Sequence, residues 1–207
     1  SLRGLESGVA PRSTLTYAMH KGRVIDACIL ENTHSVATCS DDGSVHVWRV
    51  DVEMDNYHAH RHQSSEGGNR HAGVSVIGTS VVKTIDANEG PIVNVHHFNS
   101  DRASVLMYTT QRGIVHTWDL RASTEPFQFH VRPELGYLTS MTMGHDRNWV
   151  CVGTSRGYIA LYDIRYNVMA KLWQHSARQP IHRLASSKSL PRGPKHTIPD
   201  DGSYLFV

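Results

Sequence analysis

Trp149-Val150-Cys151-Val152-Gly153-Thr154-Ser155-Arg156-Gly157-Tyr158-Ile159-Ala160-Leu161-Tyr162-Asp163 reads as an apolar run, a short turn and an alternating run closing on an aromatic-Asp pair. Its period is two, the period of strands, and Gly157 supplies the backbone freedom a tight hairpin needs. The same design occurs twice more, at 105–119 around Gly113 and at 35–48 around Gly43. In each copy the glycine stands five residues before the aromatic, Trp118 or Trp48. Gly113 and Gly157 lie 44 residues apart, the length of a unit with four strands. Gly43 and Gly113 lie 70 apart, one unit plus an insertion.

Outward from these hairpins, 24–30, 92–98 and 138–143 are β-rich apolar runs suited to innermost strands. The runs 15–20, 80–85, 127–132 and 169–174 fit outer strands preceding each of them. A further unit begins at 180–185, is interrupted by the Ser/Pro/Gly/Lys loop 186–199, and resumes at 203–207. No stretch carries a helical period. The chain is therefore expected to be all-β, a WD40 β-propeller fragment of about three complete four-stranded blades plus part of a fourth. The expected partition is an irregular leader at 1–14, blades at 15–50, 79–121 and 127–165, and a partial blade at 169–207. A His/Gly/Ser-rich insertion fills 51–78. The sequence lacks a starting Met and is expected to be a piece of a longer chain that supplies the remaining blades.

Composition bounds the function. Hydrophobic residues make up 39% and charged residues 19% of the 207, the balance of a folded domain. Twenty-one basic against 19 acidic side chains give a net charge of +2, too even for a nucleic-acid binder. Three cysteines, Cys28, Cys39 and Cys151, form neither a disulfide framework nor a metal knuckle, and they sit in apolar strand contexts as small hydrophobes. No catalytic, cofactor or metal site is expected. There is no nucleophile elbow and no His-Glu-x-x-His helix, and the kinase phosphate loop, His-Arg-Asp and Asp-Phe-Gly signatures are missing. His58, His60, His62 and His71 cluster in the insertion and read as part of a flexible polar loop. His96 and His97 are neighbours on a strand and so face opposite sides. Asp41-Asp42 and Asp200-Asp201 read as turn residues.

A WD-type polar network is expected from His20, Ser40, Asp42 and Trp48 in the first unit, with Trp118, Asp119, Tyr162 and Asp163 at the matching strand ends of the others. The later units depart from it. Arg112 and Arg156 replace the Asp, and Asn88 and Glu134 replace the His, so those blades are expected to rely on apolar packing.

The stretch Val93-Asn94-Val95-His96-His97-Phe98-Asn99-Ser100 and Trp118-Asp119-Leu120-Arg121, with 149–155 and Tyr162-Asp163-Ile164-Arg165, resembles a particular family. It is similar to the carboxy-terminal WD domain of the regulatory subunit of class III phosphatidylinositol 3-kinase, over residues 15–185. Gly22-Arg23-Val24 and 37–43 are compatible with an earlier blade of that domain. The resemblance implies a non-catalytic scaffold whose partners are protein subunits of a lipid kinase complex, cytoplasmic and peripheral on endosomal and autophagic membranes. Any kinase activity of the parent is expected outside these residues. The acid-free run 164–199 carries seven basic residues, Arg165 to Lys195. It suits peripheral contact with an anionic membrane or, more simply, a solvated face. Arg121 and Arg165 each complete a WDxR-like motif, as in substrate receptors of cullin-RING ubiquitin ligases, and are the candidate partner contacts. A phosphoinositide-binding propeller is disfavoured by the absence of its Phe-Arg-Arg-Gly motif.

Overall fold

The computed structural model describes residues 16–54, 74–188 and 203–207. Within them every regular element except two 3-10 turns, Ala87–Glu89 and Pro133–Leu135, is a strand. The first sheet orders β1 (Val24–Ile29), β2 (Ser35–Ser40), β3 (Ser44–Met54) and β4 (Val74–Thr84) as an antiparallel meander. The second repeats that order with β5 (Ile92–Asn99), β6 (Ser104–Thr110), β7 (Ile114–Asp119) and β8 (Gln128–His130). The third uses β9 (Leu138–Met143), β10 (Trp149–Thr154), β11 (Tyr158–Asp163) and β12 (Val168–Gln174). A two-stranded sheet, β13 (Ala185–Lys188) with β14 (Ser203–Phe206), follows. The architecture is that of a β-propeller fragment, blades side by side with β1, β5 and β9 innermost.

The central strands explain why the sequence reads as apolar runs rather than clean alternation. In β6, Leu106 and Tyr108 point into a core shared with Ala37, Cys39 and Val45 of the first blade. Val105 and Met107 point the other way, against Val150, Val152 and Tyr162 of the third. Both faces of the strand are covered, so both sets of side chains are apolar. Cys151 faces a further cluster with Ile181 and Leu184. Gly43, Gly113 and Gly157 turn the β2–β3, β6–β7 and β10–β11 hairpins with φ of 77°, 107° and 77°.

Several expectations change. The strand expected at 15–20 is absent over its described part, where 16–20 forms no ladder. The strand before each inner strand belongs by hydrogen bonding to the preceding sheet: β4 pairs with β3, β8 with β7 and β12 with β11. The sheets are thus offset by one strand from the sequence units. Part of the insertion is also strand, since β3 runs on to Met54 and β4 starts at Val74 as one long hairpin ladder. Its histidines at 58, 60, 62 and 71 lie outside the described residues. The last unit starts at Ala185 rather than 180, and 186–188, assigned to a loop, pairs with 203–205.

Candidate functional site

The inner-strand turns of the three blades meet on one rim of the fragment. Glu31, in the β1–β2 turn, is the junction. Its backbone N–H donates to His97 Nδ1 at 2.9 Å, and its carbonyl accepts from the Asn99 side-chain amide at 3.0 Å. Its carboxylate accepts from the Asn99 N–H at 3.1 Å and from Arg147 at 2.9 Å. Arg147, in the β9–β10 turn, also donates to the Asn99 carbonyl. His97 Nε2 then meets Ser104 Oγ at 2.9 Å. One carboxylate, one imidazole and one guanidinium therefore latch three blades together, with Glu31 of the first blade bonded to His97 and Asn99 of the second and to Arg147 of the third.

His97 is 3% exposed. Burial pushes its pKa down; Glu31 opposes this, while His96 and Arg147 reinforce it. Because the Glu31 N–H occupies Nδ1, the proton belongs on Nε2, and the ring is neutral in this network. His96, on the opposite face of β5, is half-buried and likewise pushed down by burial. Beside the latch lies a cleft of about 770 Å³ between the first two blades, whose lining includes Glu31, Asn99, Ser104, Leu120 and Arg121.

On the opposite rim the first blade builds a polar relay. Thr38 and Ser44 flank His20, with Thr38 Oγ1 2.8 Å from Nε2 and Ser44 Oγ 3.0 Å from Nδ1. The Ser44 hydroxyl donates to Asp42 at 2.5 Å, and the Lys21 N–H donates to the same carboxylate at 2.7 Å. Burial alone would raise Asp42, but Ser44, the Lys21 amide and nearby His20 hold it below the ordinary carboxylate range. Ser40 does not touch His20; its hydroxyl accepts from the Asp42 N–H instead. The strand residue in the relay is Thr38, two positions earlier, which faces the same side of β2. The Trp48 ring stacks on Tyr17 at 5.1 Å, and its indole nitrogen has no partner among the described residues.

The second and third blades do not rest on apolar packing alone. Arg112 donates to the Asn88 carbonyl at 2.5 Å and Arg156 to the Glu134 carbonyl at 2.8 Å. Each guanidinium clamps the 3-10 turn before its inner strand, reversing the polarity of the Asp42 arrangement. A second polar cluster joins them: His116 lies 2.6 Å from Glu89 and 2.7 Å from Glu125.

The two WDxR-like motifs diverge. Trp118 is buried, and Asp119 accepts from the Ser104 and Arg121 N–H groups, which closes the turn. The Arg121 side chain is exposed and lines the cleft. Tyr162 is buried against Phe129 at 4.6 Å. Arg165 instead forks onto its own Asp163, at 3.1 and 2.6 Å, so the geometry engages it locally. Of the seven basic residues in 164–199, Arg192 and Lys195 lie outside the described residues.

A family model for the nucleolar protein 10-like, N-terminal domain, a β-propeller, matches residues 32–195. The chain belongs to that β-propeller family, and its WD-repeat region is VPS15-like. A probable serine/threonine-protein kinase vps15 of Dictyostelium discoideum is 33% identical over 165 residues, 79% of this chain and 8% of that protein. Serine/threonine-protein kinase VPS15 of Arabidopsis thaliana is 30% identical over 187 residues, 88% of this chain and 12% of that protein. The namesake of Saccharomyces cerevisiae is 24% identical over 181 residues, again 12% of its length. The chain thus spans about a tenth of the relatives it matches. What it shares with the VPS15 relatives is a propeller and not a kinase domain.

The latch was missed by sequence reasoning in part only. His97 and Asn99 sit in the stretch that carries the family resemblance, whereas Glu31 and Arg147, both in ordinary polar turns, gave no signal.

Proposed function

We propose that this chain is a non-catalytic scaffold of a class III phosphatidylinositol 3-kinase complex, acting in endosomal or vacuolar sorting and in autophagy. It works as a rigid propeller sector whose rims hold protein subunits, in the cytoplasm and peripheral on endosomal and autophagic membranes. The observation that carries this reading is the match to VPS15 kinases across four-fifths of the chain. Rigidity is what a scaffold contributes, because preorganised surfaces avoid the entropic cost of ordering on binding. Three blades tied through Glu31 have that character.

The ligase-receptor reading needs both WDxR arginines available to an adaptor, and the fork between Arg165 and Asp163 disfavours it. The test is affinity capture of the intact protein from cells with and without residues 16–188. Lipid kinase activity that co-purifies only when these residues are present supports the scaffold. Recovery of a cullin adaptor in place of lipid kinase overturns it.

A further inference from the structure

On the rim opposite the latch, between the second and third blades, lies a cleft of about 490 Å³. Arg112, Pro133, Gly136, Tyr137, Ser155 and Arg156 line it. We propose that this cleft docks an acidic peptide segment of a partner protein, its carboxylates held by Arg112 and Arg156 and its neighbouring side chain packed on the Tyr137 ring.

Charge is the first argument. Each guanidinium spends one nitrogen on a neutral carbonyl, Asn88 for Arg112 and Glu134 for Arg156, and neither forms an ion pair among the described residues. A carbonyl orients an arginine without neutralising it, so two positive forks remain on one small cleft that no carboxylate lines. The acids of this rim are engaged elsewhere. Asp42 accepts from Lys21 and Ser44, Asp41 from the Arg23 N–H, Asp86 caps the first 3-10 turn, and Glu89 meets His116. Glu134 is exposed beside the cleft but its side chain is not in the lining. Planar forks suit carboxylates through two parallel hydrogen bonds, and the shared anchorage fixes their direction before any ligand arrives.

Shape is the second. Tyr137 is 59% exposed, yet its backbone is pinned, its N–H donating to Ser155 Oγ at 3.0 Å. A solvent-facing tyrosine on a pinned backbone beside arginines has the composition of an interface anchor. Gly136, at φ 96°, keeps the floor open: a Cβ there would lie 2.7 Å from Ser155 Oγ and 3.0 Å from Arg156 Cγ. The blades also differ among themselves. The first blade closes the same turn with Asp42 and no arginine, so the repeat does not require a cation at this position. The clamp to a carbonyl accounts for where each guanidinium points, and it leaves the positive charge of both unneutralised.

The test is fluorescence anisotropy with the intact chain and a fluorescein-labelled Asp-Glu-Leu-Asp-Glu peptide, against the same peptide with Asn and Gln replacing the acids. The acidic peptide is expected to bind at least tenfold tighter, with affinity falling as salt rises. The R112Q/R156Q double variant loses that preference, and R112K/R156K, which keeps the charge but not the fork, recovers only part of it. Y137A, a change at an exposed ring, weakens binding several-fold with an unchanged melting temperature, which keeps the site testable if an arginine variant fails to fold. Equal binding of the two peptides overturns the proposal, as does undiminished binding by R112Q/R156Q. Capture of phosphatidylserine vesicles through the same arginines, without the peptide preference, also overturns it and assigns the cleft to membrane contact.

Discussion

Replacing His97 with glutamine gives the sharpest reading of the latch. Glutamine retains an acceptor for the Glu31 N–H and a donor for Ser104 but cannot take up a proton. At pH 7.5 the imperfect replacement of two buried hydrogen bonds is expected to cost about 1–2 kcal/mol. The informative quantity is the pH dependence. Protonation of His97 would place a hydrogen on Nδ1, where the Glu31 N–H already points, and would charge a ring that is 3% exposed beside Arg147. Its folded pKa therefore lies below the ordinary 6.5, burial being the first cause. A depressed pKa means that the unfolded chain binds the proton first. Stability is full above about pH 6.5 and falls as pH drops below it, by up to about 1.4 kcal/mol per pH unit for this one group. His46 and His96 are depressed in the same direction but are present in both proteins, so their contribution cancels in the difference. Urea unfolding at pH 7.5, 6.5 and 5.5 measures it. The gap between the parent chain and H97Q should narrow between pH 6.5 and 5.5, by at most about 1 kcal/mol. Parallel stability curves would show that His97 takes up its proton alike in the folded and unfolded chains, and the tautomer argument would fall.

Two further outcomes follow from the core. Leu106 is completely buried between the first two blades, and L106A should lower unfolding stability by about 2–5 kcal/mol with little change in the urea m value; a loss under 1 kcal/mol would mean the blades do not pack there. The thiols of Cys28, Cys39 and Cys151 are pushed up to about 12, by burial first and, for Cys28 and Cys39, by Asp26 as well. At pH 8 they should resist Ellman's reagent until urea unfolds the chain, and rapid labelling of the native protein would contradict their placement.

The fold was legible because its signal is local. Short apolar runs such as 105–110 and glycines at 43, 113 and 157 are set by strand burial and turn φ, both encoded within a dozen residues. The assignment of strands to sheets was less so. β4, β8 and β12 precede an inner strand in sequence but bond back to the previous blade, and sequence order alone does not say which neighbour a strand joins. Strand β3 was ended at residue 50 because 51–78 as a whole is rich in Gly and Ser and lacks periodicity, although the ladder with β4 runs on to Met54.

The sites were less legible for a different reason. A latch is a meeting of chain positions, and Glu31 reaches Arg147 across 116 residues, so no window of sequence contains the pair. Residue type also misled where one function had two chemical solutions. The position before the turn glycine must hold the entry segment of its blade, and a carboxylate does this by accepting from the Lys21 amide, as Asp42 does. A guanidinium does it equally by donating to a carbonyl, as Arg112 and Arg156 do. Judged against an Asp pattern the arginines look like lost function, yet they preserve the clamp with inverted polarity. The inversion has an electrostatic consequence that the Asp solution lacks: the first blade consumes its charge on amides, whereas the second and third leave theirs facing solvent. Where a repeat protein keeps its geometry but changes the sign of an anchoring residue, the surplus charge is the feature to test for a partner.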